Sequence, residues 1–233
     1  MNNSYKRFAY FYDEVMADLN YDLWLEFVSP YLKKGDKILD LACGSGTFAT
    51  MLKLSGYDSY GLDLSEEIIE IANEKKKINH LDIPFYVMDM TSFKFDFKFD
   101  IITCFFDSIN FLDNKSKIKK MFNCVYNSLK SNGYFIFDIA SKYLLNEYDT
   151  QNEHTDFETF YLDWVSKKVN ETTLKHNIRI KDVDDILEES YYEYYYPLKD
   201  VLDSRFKVIK ISGDFNDDLE EDDERILVVL QKQ

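Results

Sequence analysis

Cysteine, histidine and basic charge are all scarce in this 233-residue chain, and each shortage closes off a chemistry. Cys43, Cys104 and Cys124 are odd in number and have no C-x-x-C spacing, which argues against a disulfide framework or a paired-thiolate metal site. Each reads as a small hydrophobe in or beside a core element, and the expected compartment is a reducing cytoplasm. His80, His154 and His176 are scattered and receive no role. The chain also lacks H-E-x-x-H, G-x-x-x-x-G-K-[ST] and a Ser/His/Asp pattern. No run of about 18 apolar residues offers a spanning helix, and Met1-Asn-Asn-Ser-Tyr-Lys-Arg7 leads into no signal-like apolar stretch. The 28 bases are outnumbered by 43 acids, for a net charge of −15. A nucleic-acid partner would need a basic stripe. The two basic clusters, Glu74-Lys-Lys-Lys77 and Lys115-Ser-Lys-Ile-Lys-Lys120, instead read as solvated faces of amphipathic helices. The acidic balance favours a cationic or neutral small molecule by long-range attraction.

Hydrophobic residues make up 45% and aromatic residues 17%, which suits a single globular domain over 1–233 with a sizeable core. The most informative stretch is Ile38-Leu-Asp-Leu-Ala-Cys-Gly-Ser-Gly-Thr-Phe-Ala49, followed by Gly61-Leu-Asp-Leu-Ser65. An apolar strand, an acid, a glycine turn, a helix and a second strand ending in Asp63 make the first βαβ unit of a nucleotide-binding fold. Gly44 and Gly46 permit a tight turn and close backbone approach. Asp63, at a strand tip, can accept from both ribose hydroxyls. Gly44-x-Gly46-x-x-Ala49 formally fits a dinucleotide fingerprint, so a nicotinamide-dependent oxidoreductase is one reading. Asp40 argues against it, because a carboxylate beside the glycine turn repels a pyrophosphate. A ligand with ammonium and sulfonium centres would welcome that carboxylate.

The pattern Asp40-x-Ala42-x-Gly44-x-Gly46 resembles motif I of the class I S-adenosylmethionine-dependent methyltransferases, with Ala42 in place of the usual first glycine. Further segments resemble the same superfamily: Phe85-Tyr-Val-Met-Asp89-Met90 as the third strand and adenine-binding turn, Phe99–Cys104 as the fourth strand, and Gly133–Ile139 as the fifth. The resemblance implies an α/β, Rossmann-like sheet of seven strands, the last antiparallel, with helices on both faces. It implies a cofactor site for S-adenosylmethionine built from Asp40, Ala42, Gly44, Gly46, Asp63, Leu64, Asp89, Met90 and Cys104. Within it, Asp63 would hold the ribose, Leu64 would pack near the adenine, and Asp89 and the Met90 amide would meet the adenine edge. No resident metal is implied.

Periodicity predicts helices at Tyr5 to about Ala17 and Tyr21 to about Tyr31, and residues 1–32 resemble the lid segment of small-molecule methyltransferases. Tyr12 is the lid residue that such a likeness brings to the cofactor or acceptor; it could equally pack as part of an amphipathic helix. Ser65 reads as an N-cap. Ile118, Met121, Phe122, Val125, Tyr126 and Leu129 form one helical stripe, which Asn132-Gly133 should end. Within 141–200 the runs Phe157–Lys168, Glu171–Asp182 and Ile186–Pro197 predict an antiparallel insertion after the fifth strand. Tyr192, Tyr194 and Tyr196 would share one face, either as part of an aromatic pocket or as ordinary sheet residues. Strands at Phe206–Ile211 and Arg225–Gln231 complete the sheet, and the acid-rich 214–224 is a solvated loop because it lacks EF-hand spacing.

Asp107, after the fourth strand, could orient an acceptor, act as a base or cap the next turn. The implied reaction transfers a methyl group to N, O or C of a small-molecule acceptor. A cofactor-binding regulator without turnover is a third reading, and the sequence leaves homo-oligomer formation open.

Overall fold

In a computed structural model, which describes residues 5–183 and 185–233 and only the backbone of Tyr5–Arg7 and Tyr10, the chain forms two sheets. Residues 1–4 of the lid segment lie outside the described residues. The order is α1 (Tyr5–Val15), α2 (Asp22–Val28), β1 (Lys37–Leu41), α3 (Thr47–Leu54), β2 (Asp58–Asp63), α4 (Glu66–Ile78), β3 (Phe85–Val87) and β4 (Phe99–Cys104). There follow α5 (Lys115–Ser128), β5 (Leu129–Ala140), α6 (Lys142–Glu147), β6 (Asn152–Asp156), β7 (Tyr161–Asn170), β8 (Thr173–Lys181) and β9 (Ile186–Tyr194). The chain closes with α7 (Leu198–Val201), β10 (Phe206–Gly213) and β11 (Arg225–Lys232).

The main sheet has seven strands in the order β3-β2-β1-β4-β5-β11-β10, and β11 runs antiparallel to both its neighbours. Alternation along the strands fills two cores. Leu39, Ile102, Phe135, Phe137 and Val228 face one side, against the α5 stripe of Ile118, Met121, Phe122 and Val125. Ile38, Ile101, Ile136 and Val229 face the other, against Trp24, Val28, Phe48 and Leu52 from α2 and α3. Chain order reverses across β1, which pairs with β2 on one side and β4 on the other. The carboxyl ends of these strands therefore open the crevice where such sheets hold ligands.

The expected antiparallel insertion is present, as a separate sheet in the order β6-β7-β8-β9. Its first strand escapes the sequence reading because Asn152–Asp156 is polar and exposed throughout, leaving no alternation to detect. Three boundaries also differ. The second expected helix splits at Pro30 into α2 and a 3₁₀ turn, Ser29–Tyr31, since proline has no N–H to continue the ladder. The stripe helix α5 ends at Ser128, and Asn132-Gly133 lies inside β5 rather than before it. There a Cβ on Gly133 would stand 2.8 Å from the Asp100 carbonyl, so glycine allows an irregular stretch of the strand to close on β4. Finally, β9 stops at Tyr194, and Tyr196 turns into the core, where its hydroxyl donates to the Leu112 carbonyl at 2.6 Å. Ser65 caps α4 as expected, accepting from the Ile68 amide at 3.2 Å.

Candidate active site

The turn after β1 bends through left-handed backbone at Ala42 (φ 52°), Gly44 (φ 53°) and Gly46 (φ 76°). Asp63 ties this turn to the end of β2, accepting from the Gly44 amide at 3.0 Å and the Ser65 amide at 3.0 Å. Burial raises its carboxyl above the usual range, and these amides pull it partly back. The two glycines serve different ends. A Cβ on Gly44 would stand 3.4 Å from the Tyr12 ring, so α1 lies directly over the turn. A Cβ on Gly46 would strike the Phe85 ring at 2.4 Å, so that glycine makes room for packing. Ala42 carries a Cβ in a conformation that disfavours one by about 1–2 kcal/mol. Replacement Ala42→Gly should therefore be neutral or stabilise by up to about 1 kcal/mol in urea unfolding, after its unfolded-state entropy is counted. A loss above that size would mean the Ala42 methyl is held by packing.

Asp40 is buried on β1 and accepts from Thr103 Oγ1 of β4 at 2.8 Å. Burial pushes its carboxyl up to about 7, with Asp63 and Asp138 adding to the effect of desolvation and Thr103 opposing it. A latch holds α1 above this edge. Lys75 of α4 donates to Asp13 (2.8 Å), Ser45 Oγ (3.0 Å) and Thr47 Oγ1 (3.0 Å), and the Ser45 hydroxyl donates to Asp13. A cavity of about 280 Å³ lies beside the latch, lined by Asp13, Met16, Ala17, Tyr21, Thr47 and Lys75. Burial, with Asp13 and Asp40, pushes the Tyr21 hydroxyl up to about 12.

The other end of the crevice rests on Asp138 of β5, which is wholly buried. It accepts from Trp24 Nε1 (2.7 Å), the Phe106 amide (3.2 Å) and the Asp107 amide (2.8 Å). Phe106 and Asp107 are consecutive non-glycine residues with positive φ, 58° and 54°, strain of the kind held at functional sites. Arg225, the first residue of β11, donates to Asp107 and lies 3.1 Å from Asp138 Oδ1. Asn110 joins the same loop to its surroundings, accepting from the Ala140 amide at 3.1 Å and donating to the Tyr194 carbonyl at 3.0 Å.

The structure thus brings Tyr12, Asp40, Ala42, Gly44 and Asp63 to one edge, with Asp107 at the neighbouring strand end. Leu64 is 71% exposed, an apolar surface left open beyond Asp63. Asp89 is exposed and accepts from the Thr91 amide at 2.7 Å, while Met90 packs against the main core. Cys104 is different. It is fully buried, with its thiol pushed well up by burial, and offers no surface to a ligand in this structure. Sequence reasoning gave no site role to Asp138 and Arg225, which lie far apart in the chain, and placed Trp24 only in the lid-like segment, not on Asp138. Tyr192 and Tyr194 stack on each other at 6.4 Å, whereas Tyr191 joins the cluster beneath α1.

The fold and this edge are those of a class I methyl-transferring enzyme. A sequence pattern described as a methyltransferase domain matches residues 38–133. A protein of Geobacillus sp. (strain WCH70) that bears a provisional methyltransferase name is 31% identical, covering 98% of this chain and 100% of that protein. The crystal structure of an S-adenosylmethionine-dependent methyltransferase from Clostridium acetobutylicum superposes with a TM-score of 0.84 at 26% identity, covering 99% of each chain. The sugar N-methyltransferase KedS8 from Streptoalloteichus sp. has a TM-score of 0.75 at 16% identity, over 97% of this chain and 93% of that one. The chain belongs to the class I S-adenosylmethionine-dependent methyltransferase superfamily. Among the described residues no helix is long and apolar enough to cross a membrane.

Proposed function

We propose that this enzyme transfers the methyl group of S-adenosylmethionine to N, O or C of a small-molecule acceptor bound between the main sheet and the insertion. The observation that carries this reading is the meeting of the glycine turn with Asp63, through the Gly44 amide, beneath Tyr12. The residues fit the cofactor's chemistry. Asp40 is a buried carboxylate whose described partner is a neutral threonine, so it suits a cationic methionine end. Asp63 suits ribose hydroxyls, and exposed Leu64 suits a flat apolar base. Asp89 and the Met90 amide are assigned to the adenine edge. When bound, the cofactor supplies an activated methyl on a sulfonium, so the chain needs chiefly to position the acceptor and exclude water. Tyr12 closes the site from above, and Asp107, held by Arg225, orients the acceptor or receives its proton.

Thermal unfolding with S-adenosylmethionine, S-adenosylhomocysteine or NAD, all at one concentration chosen at about 100 times the dissociation constant of the bound sulfur nucleotide, tests this directly. That excess stabilises by roughly 2.7 kcal/mol, or about 5–10 °C here. The two sulfur nucleotides should shift the transition and NAD should not; a shift with NAD alone would reverse the conclusion. Asp63→Ala should weaken binding of S-adenosylhomocysteine by about 100-fold, the scale of two lost charge-assisted hydrogen bonds. Unchanged affinity in calorimetry would remove Asp63 from the site.

A further inference from the structure

The insertion sheet turns one face toward α1, and that face carries polar atoms the fold leaves unanswered. Register places Trp164 (β7), Ile178 (β8) and Glu189 (β9) in one row, and Ser166, His176 and Tyr191 in the next. Leu187 and Tyr191, which flank Glu189 on the same face, pack in one cluster with Phe8, Phe11, Tyr12 and Val15 of α1. Glu189 is only 8% exposed, and among the described residues neither carboxylate oxygen has a hydrogen-bond partner. Such a group costs stability unless something pairs with it. Burial pushes its carboxyl up to about 7, which is the signature of that cost.

A second buried polar group lies on the same face. His176 is 3% exposed, and its Nδ1 accepts from Trp164 Nε1 at 3.0 Å. That bond places the proton of the neutral ring on Nε2. Nε2 faces Glu193 Oε2 at 3.5 Å, a long ion-pair contact, and has no closer hydrogen-bond partner among the described residues. The rings of Trp164 and Tyr191 stand edge to face, 6.0 Å apart, along the same surface. A buried carboxylate with no hydrogen-bond partner among the described residues, on a sheet face that also carries Trp164 and Tyr191, is an arrangement that a cationic nitrogen satisfies, by charge and by ring quadrupole together.

We propose that the acceptor carries a protonated amino group, and that Glu189 is its counter-ion, with Trp164 and Tyr191 as the walls around it. This rests on the methyltransferase reading and names the acceptor class for it. Glu189 is a binding residue in this scheme, and the methylated atom need not be the nitrogen it holds. The chain's net charge of −15 acts in the same direction at long range.

The test uses the full chain saturated with S-adenosylhomocysteine and three probes of one shape: cyclohexylammonium, cyclohexanol and cyclohexanecarboxylate. Calorimetry at pH 8 should show the cation binding at least tenfold more tightly than the alcohol, and the anion more weakly than either. Glu189→Gln should bring the cation to the alcohol's affinity without changing S-adenosylhomocysteine binding. Glu188→Gln, on the exposed face beside it, should leave the cation's affinity unchanged and so controls for bulk charge. Glu189→Gln and Glu189→Leu should also melt a few degrees higher than the parent, because each removes a buried carboxylate that has no partner, so misfolding would not explain the loss. Equal affinity for cation and alcohol, or undiminished cation binding in Glu189→Gln, with S-adenosylhomocysteine bound, would overturn the assignment. Failure of S-adenosylhomocysteine to bind the parent would instead overturn the methyltransferase reading, and this inference with it.

Discussion

An Arg225→Met variant should lose about 3–5 kcal/mol of stability in urea unfolding, the usual cost of stripping one partner from a buried ion pair. Its melting temperature should fall by roughly 10 °C or more. The reason is the company Arg225 keeps. Asp138 has no solvent exposure, and Asp107 is largely covered, so the guanidinium is their shared counter-ion. Burial opposes its charge, but the two carboxylates outweigh that and hold it firmly protonated. Without it, Asp138 must keep a buried charge on three hydrogen bonds or take up a proton. A protonated Asp138 accepts less strongly from Trp24 and from the Phe106 and Asp107 amides, and those amides hold a turn with two positive-φ residues. The variant should therefore also lose activity through a displaced Asp107. Adding Asp138→Asn, which keeps an acceptor oxygen without the charge, should recover part of the stability, a coupling that a double-mutant cycle reads. A loss below about 1 kcal/mol would mean that water reaches Asp138 in solution.

The second large effect is an unusual dependence on pH. Asp40 and Glu189 are both pushed up to about 7 by burial, and the buried carboxyls of Asp63, Asp138 and Glu193 are raised as well. A raised acid keeps its proton in the folded state at a pH where the unfolded chain has released it. From about pH 4 to about pH 7 the native protein thus binds more protons, and stability falls as pH rises. Asp40 alone accounts for on the order of 4 kcal/mol across that window. Asp58 and Asp203 oppose this trend. Lys37 outweighs the burial of Asp58, and Arg205 holds Asp203 low, but both pairs are partly exposed and count for less. Urea unfolding should give a more stable protein at pH 5.5 than at pH 8, and Asp40→Asn should flatten the slope. A stability that rises over this range in the parent would show that the buried acids are paired or solvated.

What could be read in advance followed from local chemistry. The glycine turn and the Ser65 cap act within a few residues, and Asp63 follows the turn at the interval such units keep, so spacing exposes all three. The α5 stripe is legible for the same reason, since its burial repeats along one helix. The Asp107 to Arg225 contact spans 118 positions and joins a loop to the last strand, and neither residue lies in a motif. Asp138 falls at one of the alternating positions of an apolar strand and looks, in sequence, like an ordinary strand-end acid. The face that holds Glu189 required the register of β7, β8 and β9, which no single segment carries. The roles given to Tyr12, Asp89, Met90 and Leu64 came from likeness to a family, and ligand-binding measurements on their variants decide them.

The salt link that shapes the β4 loop comes from residue 225, at the start of β11, more than a hundred positions further along the chain. A ribosome can lay down the glycine turn, Asp63 and the whole insertion while Asp107 and Asp138 still lack the cation that pairs with them. The β4 loop therefore gains its clamp only when β11 lies between β5 and β10. Any product cut short before residue 225 leaves Asp107 and the buried Asp138 without their shared cation.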